Sequence, residues 1–197
     1  MSMIPFVLEQ NSDISTDKHR CTLLDLLRSY VQRYPEESET VRRYALFVGG
    51  EADCFKRTNL VGHITAAMWL VDAEGENVLL THHRKLNKWL QLGGHADGNG
   101  DVIEVALTEA REESGIQQVQ ILSTEIFDLD IHPIPTIGTV ANHLHYDVRF
   151  VGQTHEPSYV VSAESHDLAW VPIRTISSYT TEPSMLRMAN KWLKSRQ

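Results

Sequence analysis

Between Gly93 and Ile116 the chain reads GGHADGNGDVIEVALTEAREESGI, a glycine-rich loop that runs directly into a helix. Asp101 stands where an N-cap belongs, and Glu104 three positions on completes the pattern of a capping box. At roughly 100° per residue, Ile103, Ala106, Leu107 and Ala110 share one face, which is expected to pack on a core. Glu109, Glu112 and Glu113 fall at i, i+3 and i+4, a tight acidic cluster on the adjacent face. Solvated, such like-charge pairs cost only about 0.2–0.5 kcal/mol each. In a partly buried cleft the repulsion rises to roughly 3 kcal/mol per pair, for about 5 Å and an effective dielectric near 20. A cleft version therefore needs a cation, and oxygen-only donors suit Mg²⁺ or Mn²⁺ better than zinc. The plainer alternative is an exposed acidic helix after a glycine loop.

The stretch resembles the signature of the MutT-like Nudix hydrolases, G-x5-E-x7-R-E-U-x-E-E-x-G-U, with U a bulky aliphatic residue. Gly94 is the first glycine, Glu109 follows the arginine position, Glu112 and Glu113 are the paired acids, and Gly115-Ile116 close the motif. Gly100 stands in place of the early glutamate, Thr108 in place of the arginine, and Ala110 in place of the aliphatic residue. The two charged losses have opposite signs, so they read as an ion pair dropped as a unit. Trp89-Leu90 before Gly93-Gly94 also resembles the family's approach to its box, with Leu92 where proline is frequent. The likeness spans Gly62 to Ser178.

The resemblance implies an α/β/α sandwich with a mixed sheet, preceded here by a helical extension. It divides the chain into an arm and helices over 1–58 and a hydrolase domain over 59–197. It implies hydrolysis of a diphosphate linkage in a nucleoside diphosphate derivative or related small molecule, dependent on Mg²⁺ or Mn²⁺. Gly94 (through its carbonyl), Glu109, Glu112 and Glu113 are the implied metal ligands. Glu109 and Glu113 are candidates for the base, and Glu164, in the acidic turn before the last strand, is a third. Two alternatives stay open: a non-catalytic ligand-binding or regulatory module on the same fold, and a diphosphate isomerase of the superfamily. No cysteine stands in the box region to favour the isomerase.

Elsewhere the pattern gives elements and weaker candidates. Residues 1–17 read as a loose arm; Leu23, Leu27, Tyr30, Val31 and Tyr34 form a helical stripe, and Pro35 can start a second helix ending at Gly49-Gly50. These helices can cap a pocket, form a homodimer face, or simply pack on the sheet. His63–Val71 and Val78–His82 read as a hairpin, Val119–Phe127 as a strand, and the segment holding Pro133 and Pro135 as a loop suited to specificity contacts. His143–Val151 alternates cleanly, with His143, His145, Asp147 and Arg149 on a polar face. Those four, with Arg84 and Lys85 in a basic turn, are the candidates for substrate contact. Asp167–Val171 reads as a short strand and Glu182–Lys194 as an amphipathic helix.

A formal net charge of -8 argues against binding a nucleic acid polymer or an anionic membrane, while a nucleotide can still be met through a metal. Two cysteines are too few for a disulfide scaffold or a cysteine-built zinc site. With no signal-peptide pattern and no spanning apolar run, a cytoplasmic setting is expected. The ten histidines invite a zinc site. His82 and His83 point to opposite sides of a strand, whereas His143 and His145 share a face and can chelate. No HExxH-type spacing accompanies them, so zinc is not expected as the main cofactor.

Overall fold

The computed structural model describes residues 10–136, 140–163 and 165–196, with side chains from residue 16 onward. Its centre is β1 (Gly62–Val71), buried along its whole length. Along one edge β1 pairs in parallel with β7 (His143–Gln153) from Gly62↔Leu144 to Val71↔Gln153. Its other edge is shared by β4 (Leu92–His95) along the first half and β2 (Asn77–His83) at the end. β3 (Lys88–Leu90) and β8 (Ser165–Pro172) pair with β2, while β5 (Gln120–Ile121) and β6 (Asp128–Ile134) pair with β7. Among the described residues the result is one mixed, eight-stranded sheet.

Strand alternation sorts the side chains into two layers. Ile64, Ala66, Met68 and Leu70 of β1 and Tyr146, Val148 and Phe150 of β7 enter one apolar cluster. That cluster is shared with α1 (Gln10–Arg33), α2 (Ser38–Gly50) and α3 (Val102–Ser114). On the opposite face Trp69, Val71 and Val151 meet Met185, Met188, Ala189 and Trp192 of α4 (Pro183–Ser195). The α/β/α sandwich is as the motif implied. Of the readings open for the N-terminal helices, packing on the sheet is the one observed: Leu23, Leu27 and Tyr30 are each at most 1% exposed, and Phe47 stacks on Tyr146. The Tyr44 hydroxyl lies 2.8 Å and 2.7 Å from the carbonyls of Asp130 and Asp147.

Three expectations need correction. Residues 10–17 belong to α1 rather than to a loose arm; residues 1–9 of that arm lie outside the described residues. Within Val119–Phe127 only Gln120–Ile121 forms a ladder, because Val119, Ile126 and Phe127 are buried anchors of a connecting loop. The Pro133 segment is not simply a loop: Asp128–Ile134 is a strand with Pro133 opposite Leu144. Among the described residues β7 is its single partner strand, so the missing Pro N–H can face away from the ladder. No helix among the described residues is long and apolar enough to cross a membrane.

Candidate active site

α3 is fixed at both ends by the residues the sequence suggested, with one change. The Asp101 carboxylate accepts from the Glu104 N–H at 3.1 Å. Glu104 does not return the bond; it accepts from Asn99 Nδ2, and the Asp101 N–H donates to Asn99 Oδ1, both at 3.0 Å. Asn99 is thus inserted into the capping box. Gly115 ends the helix at φ +74, a left-handed conformation for which glycine carries no Cβ penalty.

The buried face of α3 is rotated from the expected stripe. Val102, Val105, Ala106, Ala110, Glu113 and Ser114 are buried, while Ile103 and Leu107 lie half-buried at its flank. This rotation turns the glutamates toward β4. Glu113, 7% exposed, accepts the Gly93 N–H through Oε2 at 2.9 Å. Glu109 lies over Gly94 so closely that a Cβ there would come within 2.5 Å of both carboxylate oxygens. Glu112 faces solvent. The Gly93-Gly94 pair is therefore required by space: Gly94 admits the Glu109 carboxylate, and a Cβ on Gly93 would stand 2.5 Å from that of Ala67.

The departures at 100 and 108 have a local reason that the sequence did not reveal. Gly100 is buried, and a Cβ on it would stand 2.6 Å from Nδ1 and 2.7 Å from Cγ of His19 on α1. The helical extension occupies the place of the glutamate that the motif calls for. Thr108, where the arginine would stand, is exposed.

The polar face of β7 is largely inside the protein. Arg149, 2% exposed, donates through Nε to Asp147 at 2.7 Å and through Nη1 to Asp128 at 3.1 Å, with Asp130 3.5 Å from Nη2. Asp128 also receives Arg187 at 2.8 Å and Lys191 at 2.7 Å from α4. Lys191 continues to Glu37 at 2.6 Å. Burial pulls the Arg149 pKa down, but Asp147, Asp128 and Asp130 outweigh it and leave the guanidinium above its ordinary value. Burial alone would raise Asp130, yet His132 and the arginines hold it below the usual carboxylate range. Asp147 is further tied to Thr65 at 2.9 Å and Gln91 at 3.1 Å. Arg149 and Asp147 are thus held by other protein groups.

Further along the same face the charges give way to imidazoles. Register sets His63 of β1 beside His145 of β7, and His132 of β6 on its other side. His95 joins from β4, opposite Thr65. Ring centroids of His63 lie 5.1 Å from His95, 4.8 Å from His143 and 4.7 Å from His145. Among the described residues, one group of at least three potential metal-binding side chains converges: His63, His95 and His145, with one ligand atom each inside 4.8 Å of the others. Burial first, then the neighbouring His95 and His143, lower the His63 pKa to about 4, so its ring is neutral near pH 7. His145 is lowered in the same way, by burial and then by His63 and His95. The sequence pointed to His143 and His145 but missed His63 and His95, which strand register alone brings to them.

The basic turn lies elsewhere, between β2 and β3. Arg84 is exposed and donates to the Ser165 carbonyl at 2.9 Å, Lys85 is exposed, and Lys88 pairs with Glu182 at 2.8 Å. Glu164 lies outside the described residues.

The family model described as the NUDIX domain matches residues 62–191. No curated protein matches the chain. The fold is similar to that of the E. coli dihydroneopterin triphosphate pyrophosphohydrolase, with 13% identity, TM-score 0.53, and coverage of 67% of this chain and 95% of that one. A NUDIX-family hydrolase from Clostridium perfringens gives 22% identity and TM-score 0.50 over 66% of this chain and 95% of that one. A MutT protein from Methanosarcina mazei Go1 gives 19% identity and TM-score 0.50 over 69% and 96%.

Proposed function

The chain belongs to the NUDIX family, and we propose that this pyrophosphohydrolase cleaves a diphosphate linkage in a nucleoside diphosphate derivative or related small molecule, using Mg²⁺ or Mn²⁺ at the α3 glutamates. The single observation that carries the reading is the close seat of Glu109 on Gly94, for which a side chain at 94 leaves no room. It puts a carboxylate against the backbone of the glycine loop, with Glu113 one turn on and anchored to Gly93. The donors fit a hard divalent ion: Glu109, Glu112, Glu113 and the Gly94 carbonyl are all oxygen ligands. Bound there, such an ion supplies charge neutralisation for the diphosphate and a polarised water.

The protein's own groups then have distinct tasks. Glu113, held by the Gly93 N–H, fixes the loop against the helix end. Glu109, half-buried, is the first candidate to accept a proton from water. Glu164 is a second candidate for that step. Arg84 and Lys85, exposed on their turn, are candidates for reaching a phosphate. His143 and His145 stay candidates for substrate contact, whereas Asp147 and Arg149 would first have to leave buried partners.

The test is release of phosphate or nucleoside monophosphate from a panel of nucleoside diphosphate derivatives, with and without Mg²⁺. Turnover should require the ion and collapse in Glu109→Gln and Glu113→Gln. The glutamine oxygen of the second variant can still accept from Gly93, so its fold should survive. Full turnover in a folded Glu109→Gln protein would remove the assignment.

A further inference from the structure

We propose that His63, His95 and His145 form a second metal site, for a divalent transition ion of the zinc type. The three rings come from β1, β4 and β7, adjacent strands of the rigid centre of the sheet. Their ligand atoms already lie within 4.8 Å of one another. A tetrahedral site with Zn–N bonds of 2.0–2.1 Å sets nitrogens about 3.3 Å apart, so small ring rotations close the remaining gap. His63 supplies the independent sign of a ligand. It is 2% exposed, and neither of its ring nitrogens makes a hydrogen bond of ordinary geometry, only a weaker polar contact to the Asn59 backbone. A buried imidazole left in that state costs stability; an ion takes up one of its nitrogens.

The surrounding groups fit the same reading. His143 Nδ1 donates to the Ala141 carbonyl at 2.8 Å, and its Nε2 shares a hydrogen bond of 3.3 Å with His145 Nε2 that a bound ion would replace. That spacing equals a tetrahedral edge, so His143 can complete the set or leave the fourth position to water. His132, held by Asp130 at 3.0 Å, packs edge-on against His145 with ring centroids 5.4 Å apart. Nitrogen donors without a carboxylate select zinc, cobalt or nickel over magnesium. The site is also separate from the glutamates. Successive residues of a strand point to opposite faces, so His95 leaves β4 on the side away from the contact between Gly94 and Glu109. The inference therefore does not depend on the proposed hydrolysis, and its readout is binding.

The full chain is stripped with a chelator, given Zn²⁺ in the presence of excess Mg²⁺, and desalted, and its metal content is measured. About one zinc per chain should be retained, as expected for one closed site. Retention should fall to background in His95→Asn and His145→Asn proteins that keep their far-ultraviolet circular dichroism, and persist in Glu109→Gln and His82→Asn. Should the histidine variants fail to fold, Co²⁺ added to the unaltered chain decides: intense visible bands of a tetrahedral nitrogen site support the proposal, and a pale octahedral spectrum overturns it. Zinc lost on desalting, kept by both folded histidine variants, or lost in Glu109→Gln or His82→Asn also overturns it.

Discussion

Gly100 offers the sharpest test of how the N-terminal helix has reshaped the box. Its φ is not in the left-handed region, so an alanine there carries no backbone strain. In open space Gly100→Ala would stabilise the chain by about 0.4–1 kcal/mol, through the entropy of the unfolded state. The structure reverses that sign. The new Cβ would stand 2.6 Å from His19 Nδ1 and 2.7 Å from Cγ, about an ångström inside ordinary contact. The His19 Cβ itself is among the overlapping atoms, and rotation of the ring leaves it in place. Relief therefore has to come from α1, which is anchored in the core by Leu23, Leu27 and Tyr30. Overpacking of this kind costs about 1–3 kcal/mol. At roughly 2–4 °C per kcal/mol for a chain of this size, Tm should fall by about 2–12 °C.

The same substitution made in a His19→Gly background has nothing to strike. His19→Gly alone should cost about 0.3–0.5 kcal/mol of helix propensity, and adding Gly100→Ala should then be neutral or stabilising. Urea unfolding of the four proteins gives the coupling, which should exceed the ~0.5 kcal/mol scatter of independent sites. A rise in Tm for Gly100→Ala alone, or equal effects in both backgrounds, would refute the argument. The contact adds a steric condition to the reading of Gly100 and Thr108 as a lost ion pair: Gly100→Glu with Thr108→Arg should not restore the motif while His19 holds that space.

Other outcomes follow from single contacts. Gly94→Ala displaces the Glu109 carboxylate, so kcat should fall by at least about 100-fold, the scale of a lost acid–base group, in a steady-state assay of a folded protein. Arg149→Met leaves Asp128, Asp130 and Asp147 short of a buried cation, and urea unfolding should show a loss of about 3–5 kcal/mol, as for a broken buried pair. Cys54 is buried, which pushes its thiol up to about 11, whereas Cys21 is exposed; a disulfide reagent at neutral pH should count Cys21 alone in the native chain and both thiols after denaturation.

Much of this was legible because local chemistry fixed it. The Asp101 cap, the alternation of β7 and the stripe of α4 all rest on residues close in sequence, and each stands where the pattern placed it. What the sequence hid depends on partners far along the chain. His19 lies eighty-one positions before Gly100, so the departure from the motif looked like a charge effect rather than a steric one. The buried stripe of α3 shifted because Glu113 turns inward to Gly93, a contact no helical periodicity contains. Pro133 discouraged a strand, yet β6 is an edge where a missing N–H is tolerated.

The polar row of β7 shows most clearly why alternation alone cannot assign roles. Arg149, Asp147, His145 and His143 occupy equivalent positions on one face, and by pattern they form a single substrate-facing strip. The neighbouring strands divide it. At the Arg149 end, β6 presents Asp128 and Asp130, and α4 covers them with Arg187 and Lys191, so the charges compensate one another within the protein. At the other end, β1 and β4 present His63 and His95 to His145. One end is thus closed by its own ion pairs and serves the fold, while the other gathers imidazoles around the buried His63. That difference, set by the parallel register of β1 on β7, points to chemistry at the histidine end and to stability at the arginine end.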